Sequence, residues 1–563
     1  MAALALVVLL LYGGALNNWW AFDDTQILKH AIGYAPHEYF FVPAAWRALI
    51  AYSLTPWLTL SYDIDQTLFG FNPLGFYAHN LLSIGLCAWM IYLIARQWVT
   101  ATFALGGALV FLVGSPIAVA SQQLMVRHYI EGLLFFLVAV SLFIRAVRDN
   151  RARLGWAAGI AFAVSATAKE VFLPLGLVPF LLPVGAFRQR LALAWPFLLV
   201  MLLYVPWRWY MLGEVVGGYS PAGELFSGNF SLALYRQLVQ IPDLMLTPFG
   251  AWLVAGIALA GVVLAWGRRR ESPGALLLLL IVPALLLAPL TPLALSSGLA
   301  SERFFVAAWA GLALGSAAVL GNVASDRRIR WLALLMLASL AMTAWTRAER
   351  ALAVMTPLQA EYFAQGAEIA SAEKGDIVFL SPGLLAHYPL GLIDLRAAMG
   401  RTDPPPLLIA DEVELIGIPL AGRRVLRYDA ASRTMLDITA RLPKLLAQWC
   451  ERLRPLPLSV EMTFDGVAKS LHWQLAPPIS GSYVFLTQAS RTPVPPQGAL
   501  RMANWPDEKF RFRHDSPDGS IAYTPLLSLP AASDHGVSRL SWQGNGEKFA
   551  GTHDESTCGS QDR

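Results

Sequence analysis

The chain has 563 residues, of which 56% are hydrophobic and 14% charged, and its mean hydropathy is +0.51. A soluble protein of this size does not carry so little charge, and several stretches are long enough to cross a bilayer. The formal net charge of +4 is small and no basic patch with interleaved aromatics occurs, so nucleic acid is excluded as a partner.

The first apolar run, 2–16, lacks a basic leader and a clear cleavage site, and reads as a retained first span. Further spans are expected at 76–95, 101–120, 129–147, 154–168, 171–187, 191–211, 250–267, 274–292, 304–321 and 331–345, about eleven in all. Several are short for roughly 30 Å of hydrocarbon, so tilted, broken or re-entrant pieces are expected. The pair 154–187 is the prime case, because only Lys169 and Glu170 separate its halves. Between the first two spans, about 17–75, "PAAWRALIAYSLTPWLTLSYDI" reads as helices lying at the interface with Trp46 and Trp57 at headgroup level. A second large loop covers about 213–249.

From about 346 the composition changes. A helical stretch, "PLQAEYFAQGAEIASAEK", precedes the buried strand "GDIVFLSP", and β-like runs such as "SLHWQLAPP" and "GSYVFLTQA" follow. The expected fold class is a polytopic α-helical membrane protein of about 11 transmembrane helices with a C-terminal soluble α/β domain. Its divisions are 1–345, with a first loop at 17–75, and 346–563, ending in a frayed polar tail. Cys87 lies in an apolar span and reads as packing. A Cys450–Cys558 disulfide is allowed, and spacing alone does not decide it. No repeat of 20–50 residues is visible.

Orientation follows from Lys and Arg in short loops. Arg96, the Arg145–Arg153 group, Arg188 and Arg190, Arg268–Arg270 and Arg327–Arg330 fall on every second loop and mark the cytoplasmic side. The N-terminus is then cytoplasmic, and the 17–75 loop and everything after 345 are extracytoplasmic. In a cell with an envelope this is a multi-pass inner-membrane protein with a periplasmic C-terminal domain.

Four polar clusters fall on the outer face: Asp23–Asp24; Arg127, His128 and Glu131; Lys169–Glu170; and Glu302–Arg303. Ionisable groups at membrane depth are costly and face a cavity or a partner. A carboxylate at an apolar boundary can serve as a general base, and gathered cations suit a phosphate. Together they suit a lipid-phosphate substrate whose headgroup meets water. Structural alternatives stand beside each cluster. Asp23–Asp24 could cap a helix. Arg127 with Glu131, and Arg303 with Glu302, could be ion pairs, and Lys169–Glu170 could be a solvated turn. His79 and Asn80 could be interhelical polar groups, and Asp63 with Asp65 is half a metal site without companions.

The order of these motifs resembles the polytopic GT-C glycosyltransferases, and among them the protein O-mannosyltransferases, in particular those carrying transmembrane spans and tetratricopeptide repeats. "FDD" at 22–24 resembles their acidic pair after the first span. "TPWLTLSYDIDQTLFGFNPLGFYAHNLL" at 55–82 resembles their "G.NP.G.H..N" stretch, with Pro73, Gly75 and Asn80 in place and His79 beside that Asn. "SPIAVASQQLMVRHYIEGLLFFLVAVSLF" at 115–143, "AKE" at 168–170 and "SERFF" at 301–305 also match, with Ser115 where the family usually has His. The repeats are missing. The resemblance implies transfer of one sugar, with inversion, from a polyprenyl-phosphate donor to a hydroxyl on a protein or envelope glycolipid. It implies Asp23 as base. Asp24 would support it by orienting acceptor or donor, or by holding a divalent cation where one is used; no other cofactor is implied. Arg127, Lys169 and Arg303 would grip the donor phosphate, with Glu131, Glu170, Glu302, His79 and Asn80 in support. Every motif lies before 345, so the C-terminal domain is expected to serve acceptor selection rather than chemistry. Two other functions would also use such a cationic cavity: a lipid-linked-sugar transporter or flippase, and an O-antigen ligase or polymerase. The first usually shows internal repeats, and the second leaves the acidic pair unexplained.

Overall fold

Proline starts many of the helices. Pro36, Pro43, Pro56 and Pro73 each stand at a helix N-terminus, where a missing N–H costs nothing. The computed structural model describes residues 1–50, 53–215, 245–267, 301–324 and 327–544, apart from 374, 383, 386, 416–417, 456–458, 467–469, 478, 488–489, 502–508 and 530–535. The expected span 274–292, most of the 213–249 loop, Cys558 and the polar tail lie outside the described residues. The chain divides into two compact units, Met1–Trp19 with His30–Gln359, and Trp20–Lys29 with Ala360–Arg563.

In chain order the helices are α1 Ala2–Tyr12, α2 Asp24–Gly33, α3 Pro36–Phe41, α4 Pro43–Leu49, α5 Pro56–Phe69, α6 Pro73–Ala95, α7 Ala101–Leu112, α8 Ser115–Gln122, α9 Arg127–Asp149, α10 Ala152–Ala168, α11 Val178–Leu181, α12 Phe187–Leu212, α13 Pro248–Gly267, α14 Val306–Val323, α15 Arg327–Ser371, α16 His387–Leu395 and α17 Leu442–Arg452. Among the described residues, five helical stretches are long and apolar enough to cross a membrane: Pro73–Ala95, Leu124–Asp149, Phe187–Leu212, Ser301–Val323 and Arg327–Ser371. The chain is therefore a multi-pass membrane protein.

Three expected spans take a different form. The 101–120 stretch is α7 and α8, bent by 54°. The break is at Gly114, where a Cβ would stand 2.0 Å from Trp309 Nε1; that indole packs into the bend and donates to Phe111 O at 3.0 Å. The 171–187 stretch is a 3-10 segment, Glu170–Leu177, followed by the single turn α11, because Pro174 and Pro179 interrupt it. The 331–345 stretch is part of the 45-residue α15.

Small residues bring the helices of the first unit together. A Cβ on Gly155 would lie 2.9 Å from Leu193 O, and one on Gly159 2.5 Å from Pro196 Cβ, so α12 rests directly on α10. Lipid-exposed helices gain little from apolar burial and associate through such close packing. The α14 stretch is the most enclosed, with 89% of its apolar window buried.

In the second unit, β1 Ile377–Phe379 lies between β2 Leu407–Ile409 and β3 Val425–Asp429, parallel to both, and β4 Thr434–Asp437 pairs antiparallel to β3. The three residues of β1 are all buried, as expected of a parallel-sheet strand. Two antiparallel sheets follow, in the orders β11-β10-β7-β8 and β12-β5-β6-β9. These strands are β5 Ser459–Asp465, β6 Ser470–Ala476, β7 Ser482–Thr487, β8 Ser490–Val494, β9 Gln497–Arg501, β10 Arg511–Asp515, β11 Ile521–Tyr523 and β12 Val537–Gln543. Alternating residues of β5 and β6, Val460, Met462, Phe464, Leu471, Trp473 and Leu475, share a core with Tyr483 and Phe512.

A buried ion network links the parallel sheet to the β10 sheet. Arg513 Nη1 donates to Asp411 Oδ2 at 2.7 Å, Tyr523 Oη to Asp411 Oδ1 at 2.7 Å, and Trp449 Nε1 to Tyr523 Oη at 3.1 Å. Beside it, burial pushes the Glu414 carboxyl up to about 7, with the Asp411 charge adding to the rise and the backbone N–H groups of Ala410 and Asp411 opposing it. Asp411→Ala is expected to destabilise this unit by about 1–3 kcal/mol, because the buried Arg513 Nη1 and Tyr523 Oη lose their acceptor while Asp515 still holds the other side of the guanidinium. Thermal unfolding and limited proteolysis of the full-length protein in detergent would measure it, and an unchanged profile would show that the network carries no stability.

Candidate active site

Arg127 opens α9, and its side chain is fully buried. Its Nη1 donates to Asp65 Oδ2 at 2.5 Å, its Nε stands 3.6 Å from Glu131 Oε1, and the guanidinium lies 4.2 Å over the Tyr62 ring. Asp65 also meets His79 Nδ1 at 2.8 Å, and Glu131 accepts from Trp57 Nε1 at 2.8 Å and Ser61 Oγ at 2.7 Å. One cation is thus enclosed by two carboxylates, and α5, α6 and α9 are tied together. The expectation of an Arg127 open to a phosphate does not match this arrangement: the side chain is sealed and its charge already met. Asn80 Nδ2 donates to Ala120 O at 2.8 Å and joins α6 to α8.

Lys169 is met differently. It follows α10, is 8% exposed, and its Nζ donates to the neutral Ser53 Oγ at 2.9 Å. Among the described residues no carboxylate lies within ion-pair distance of Nζ. Of the nearby charges the adjacent Glu170 acts on it most, and those of Arg303 and Arg208 oppose it. Glu170 is engaged elsewhere: its Oε1 accepts the Leu54 N–H at 2.9 Å and stands 3.2 Å from Arg208 Nε. Glu302 and Arg303 lie on the 3-10 turn Ser301–Phe305, with the Arg303 guanidinium 4.8 Å over the Phe304 ring. The first unit therefore gathers three cations, Lys169, Arg208 and Arg303, with the carboxylates of Glu170 and Glu302 beside them.

Asp23 and Asp24 belong to the second unit. The turn before α2 holds Phe22 at φ +54, a backbone region that costs a bulky residue about 1–3 kcal/mol. Tilted packing of the Phe22 ring against Tyr362, centroids 4.8 Å apart, helps to hold it there. Asp24 is fully buried, and its Oδ2 accepts the Ala21 N–H at 2.8 Å. Asp23 is half exposed, and its Oδ1 meets His387 Nε2 at 2.6 Å. The paired acids thus have different environments: Asp24 shapes the turn, and Asp23 is presented. Among the described residues no three His, Cys, Asp or Glu side chains converge to hold a metal ion.

Sequence reasoning missed Asp65 as the partner of Arg127, Arg208 as a third cation, and His387. Arg208 carried a signal, an arginine inside the otherwise apolar expected span 191–211. His387 carried none, since it is 364 residues from Asp23.

Residues 54–210 match the family described as dolichyl-phosphate-mannose-protein mannosyltransferase. That stretch contains Asp65, His79, Arg127, Glu131, Lys169, Glu170 and Arg208. Crystal structures of ArnT from Cupriavidus metallidurans, in the apo state and bound to undecaprenyl phosphate, are similar to this chain at 16% identity and a TM-score of 0.40, over 79% of this chain and 90% of theirs. The Archaeoglobus fulgidus oligosaccharyltransferase, tethered by a disulfide to an acceptor peptide containing the NVT sequon, is similar at 13% identity and a TM-score of 0.36, over 73% of this chain and 64% of its own. No curated protein matches the chain. By class this is a polytopic helical membrane protein with a soluble C-terminal α/β region. The resemblance it carries is to the GT-C mannosyltransferase family.

Arg127→Ala leaves Asp65 and Glu131 buried without their cation, which is expected to cost about 3–5 kcal/mol of stability. The full-length protein in detergent should melt at lower temperature. A variant as stable as the parent would show that the enclosed pair carries no stability.

Proposed function

We propose that the chain is a membrane glycosyltransferase that moves one sugar from a polyprenyl-phosphate carrier to a hydroxyl acceptor, on a protein or an envelope glycolipid, at the extracytoplasmic face. The observation that carries this reading is the Lys169 ammonium. It is buried, bonded to a neutral hydroxyl, and reinforced by Arg208 and Arg303. A buried ammonium bonded to a neutral hydroxyl, with two further cations near it, is suited to an anionic ligand. The family match over 54–210 supports the same reading, since the family's description names a lipid-phosphate sugar donor.

In this reading the acceptor hydroxyl gives its proton to Asp23 as its oxygen bonds to C1 of the sugar. The C1–O bond to phosphate breaks, and its electron pair leaves on the polyprenyl phosphate. Attack opposite the leaving group inverts C1. Charge builds on the phosphate as that bond breaks, so Lys169, Arg208 and Arg303 stabilise the transition state more than the bound donor. Glu170 orients Arg208, and Glu302 neighbours Arg303. Asp24 holds the turn that presents Asp23. Arg127, with Asp65, Glu131 and His79, supports the helices that carry these groups.

Asp23→Asn keeps the shape of the side chain and removes the base. Turnover should fall by about 10²–10⁴-fold, with undecaprenyl phosphate binding little changed. Lys169→Ala should instead weaken that binding by roughly 1.5–3 kcal/mol, the worth of a charge-assisted bond. The assay is release of polyprenyl phosphate by the full-length protein from a panel of polyprenyl-phosphate hexoses and pentoses, with an envelope fraction as acceptor. If no donor is turned over, or if Asp23→Asn keeps wild-type turnover, the reading is wrong and a lipid-linked-sugar transporter becomes the better account.

The alternation of arginine-rich loops supports a cytoplasmic N-terminus and an extracytoplasmic C-terminal region. Cysteine-accessibility scanning should find position 330 cytoplasmic and position 400 extracytoplasmic. Labelling of position 400 from the cytoplasmic side alone would reverse the orientation.

A further inference from the structure

We propose that His387 is a positioning residue for Asp23, so that the C-terminal region takes part in the chemistry as well as in acceptor selection. This rests on the glycosyltransferase reading above and adds a residue to it. The imidazole Nε2 and Asp23 Oδ1 are 2.6 Å apart, and both side chains are partly exposed, at 38% and 46%. A substrate can therefore reach the pair. A hydrogen bond to Oδ1 fixes the carboxylate plane, and with it the direction in which the other oxygen faces an incoming hydroxyl.

The surrounding backbone is anchored on both sides of the pair. Thr25 Oγ1 donates to Tyr388 O at 3.0 Å, and a Cβ on Gly391 would stand 2.5 Å from that same Oγ1, so the start of α2 lies directly on α16. Tyr388 Oη donates to Tyr362 O at 2.9 Å, and the Tyr362 ring packs at a tilt against Phe22. Lys29 Nζ meets Asp394 Oδ2 at 2.5 Å further along the seam. Docking of α2 is thus secured by groups other than His387. An exposed ion pair adds little to stability, so packing gives no reason for an imidazole on Asp23. Orientation of the carboxylate does.

The test uses the full-length protein in detergent, the same donor panel and an envelope fraction as acceptor. His387→Ala is expected to lower kcat by about ten- to a hundredfold, the rate equivalent of a hydrogen bond to a charged group. The donor KM should stay within about threefold, the signature of an interaction made in the transition state. The acid limb of the kcat profile should move to higher pH, because the carboxylate loses the donor that favours its charged form. His387→Gln keeps an N–H donor and should recover part of the rate. Lys29→Ala opens the neighbouring pair and should keep wild-type turnover. If His387→Ala keeps both kcat and its pH profile while Asp23→Asn is inactive, the positioning role is wrong and the glycosyltransferase reading stands. If Asp23→Asn keeps turnover, the underlying reading fails and takes this one with it. Equal losses of activity and thermal stability in His387→Ala, His387→Gln and Lys29→Ala would make His387 a packing residue and overturn the proposal.

Discussion

A charge enclosed in an apolar helical bundle must be met by another charge, and the polar residues of the first unit divide according to how each is met. Arg127 is answered inside the protein by Asp65 and Glu131, with the Tyr62 ring over its face. Desolvating an arginine costs several kcal/mol, and two carboxylates with further donors of their own offset it. Lys169 is met less fully. Its bonded partner is a serine hydroxyl, and the charge of the adjacent Glu170 is opposed by those of Arg303 and Arg208. The two cations come from motifs of equal apparent promise, yet one is enclosed by two carboxylates and the other is bonded to a hydroxyl.

Much of the membrane region was legible because composition and periodicity report burial in lipid directly. The spans at 76–95, 129–147, 191–211 and 304–321 correspond to helices Pro73–Ala95, Leu124–Asp149, Phe187–Leu212 and Ser301–Val323. Strand β1 was readable from a short apolar run after a helix, and β6 from its alternation. Departures came where backbone breakers act inside apolar runs. Hydropathy sees 101–120 as one segment, whereas Gly114 admits an indole and the axis turns. Prolines at 174 and 179 likewise convert 171–187 into 3-10 turns that an apolar count cannot distinguish from a span.

The site was legible in its residue types and much less so in its pairings. Asp65 belongs to a stretch that looked like half a metal site, and only the fold shows its carboxylate taken by Arg127 and His79. Arg208 was overlooked because the motifs lie in loops, although a lone arginine among Leu, Trp and Tyr is itself costly enough to notice. For His387 no local pattern exists. Its meaning comes from a contact between residues 364 positions apart, and no periodicity or spacing rule reaches that far.

The turn at Phe22 explains why two neighbouring acids need not share a role. With Phe22 in the left-handed region the chain reverses before α2, and Asp24 folds back to take the Ala21 N–H while Asp24 N donates to Ala21 O at 3.1 Å. Those bonds spend one carboxylate on the backbone and bury it. Asp23, one residue earlier, is thereby left on the exposed side of the turn, where an imidazole can reach it. In an ordinary helix start the two side chains would diverge by about 100° and both would be solvated. Here the strained residue gives the pair unequal exposure, so that one acid holds the turn and the other stays partly exposed.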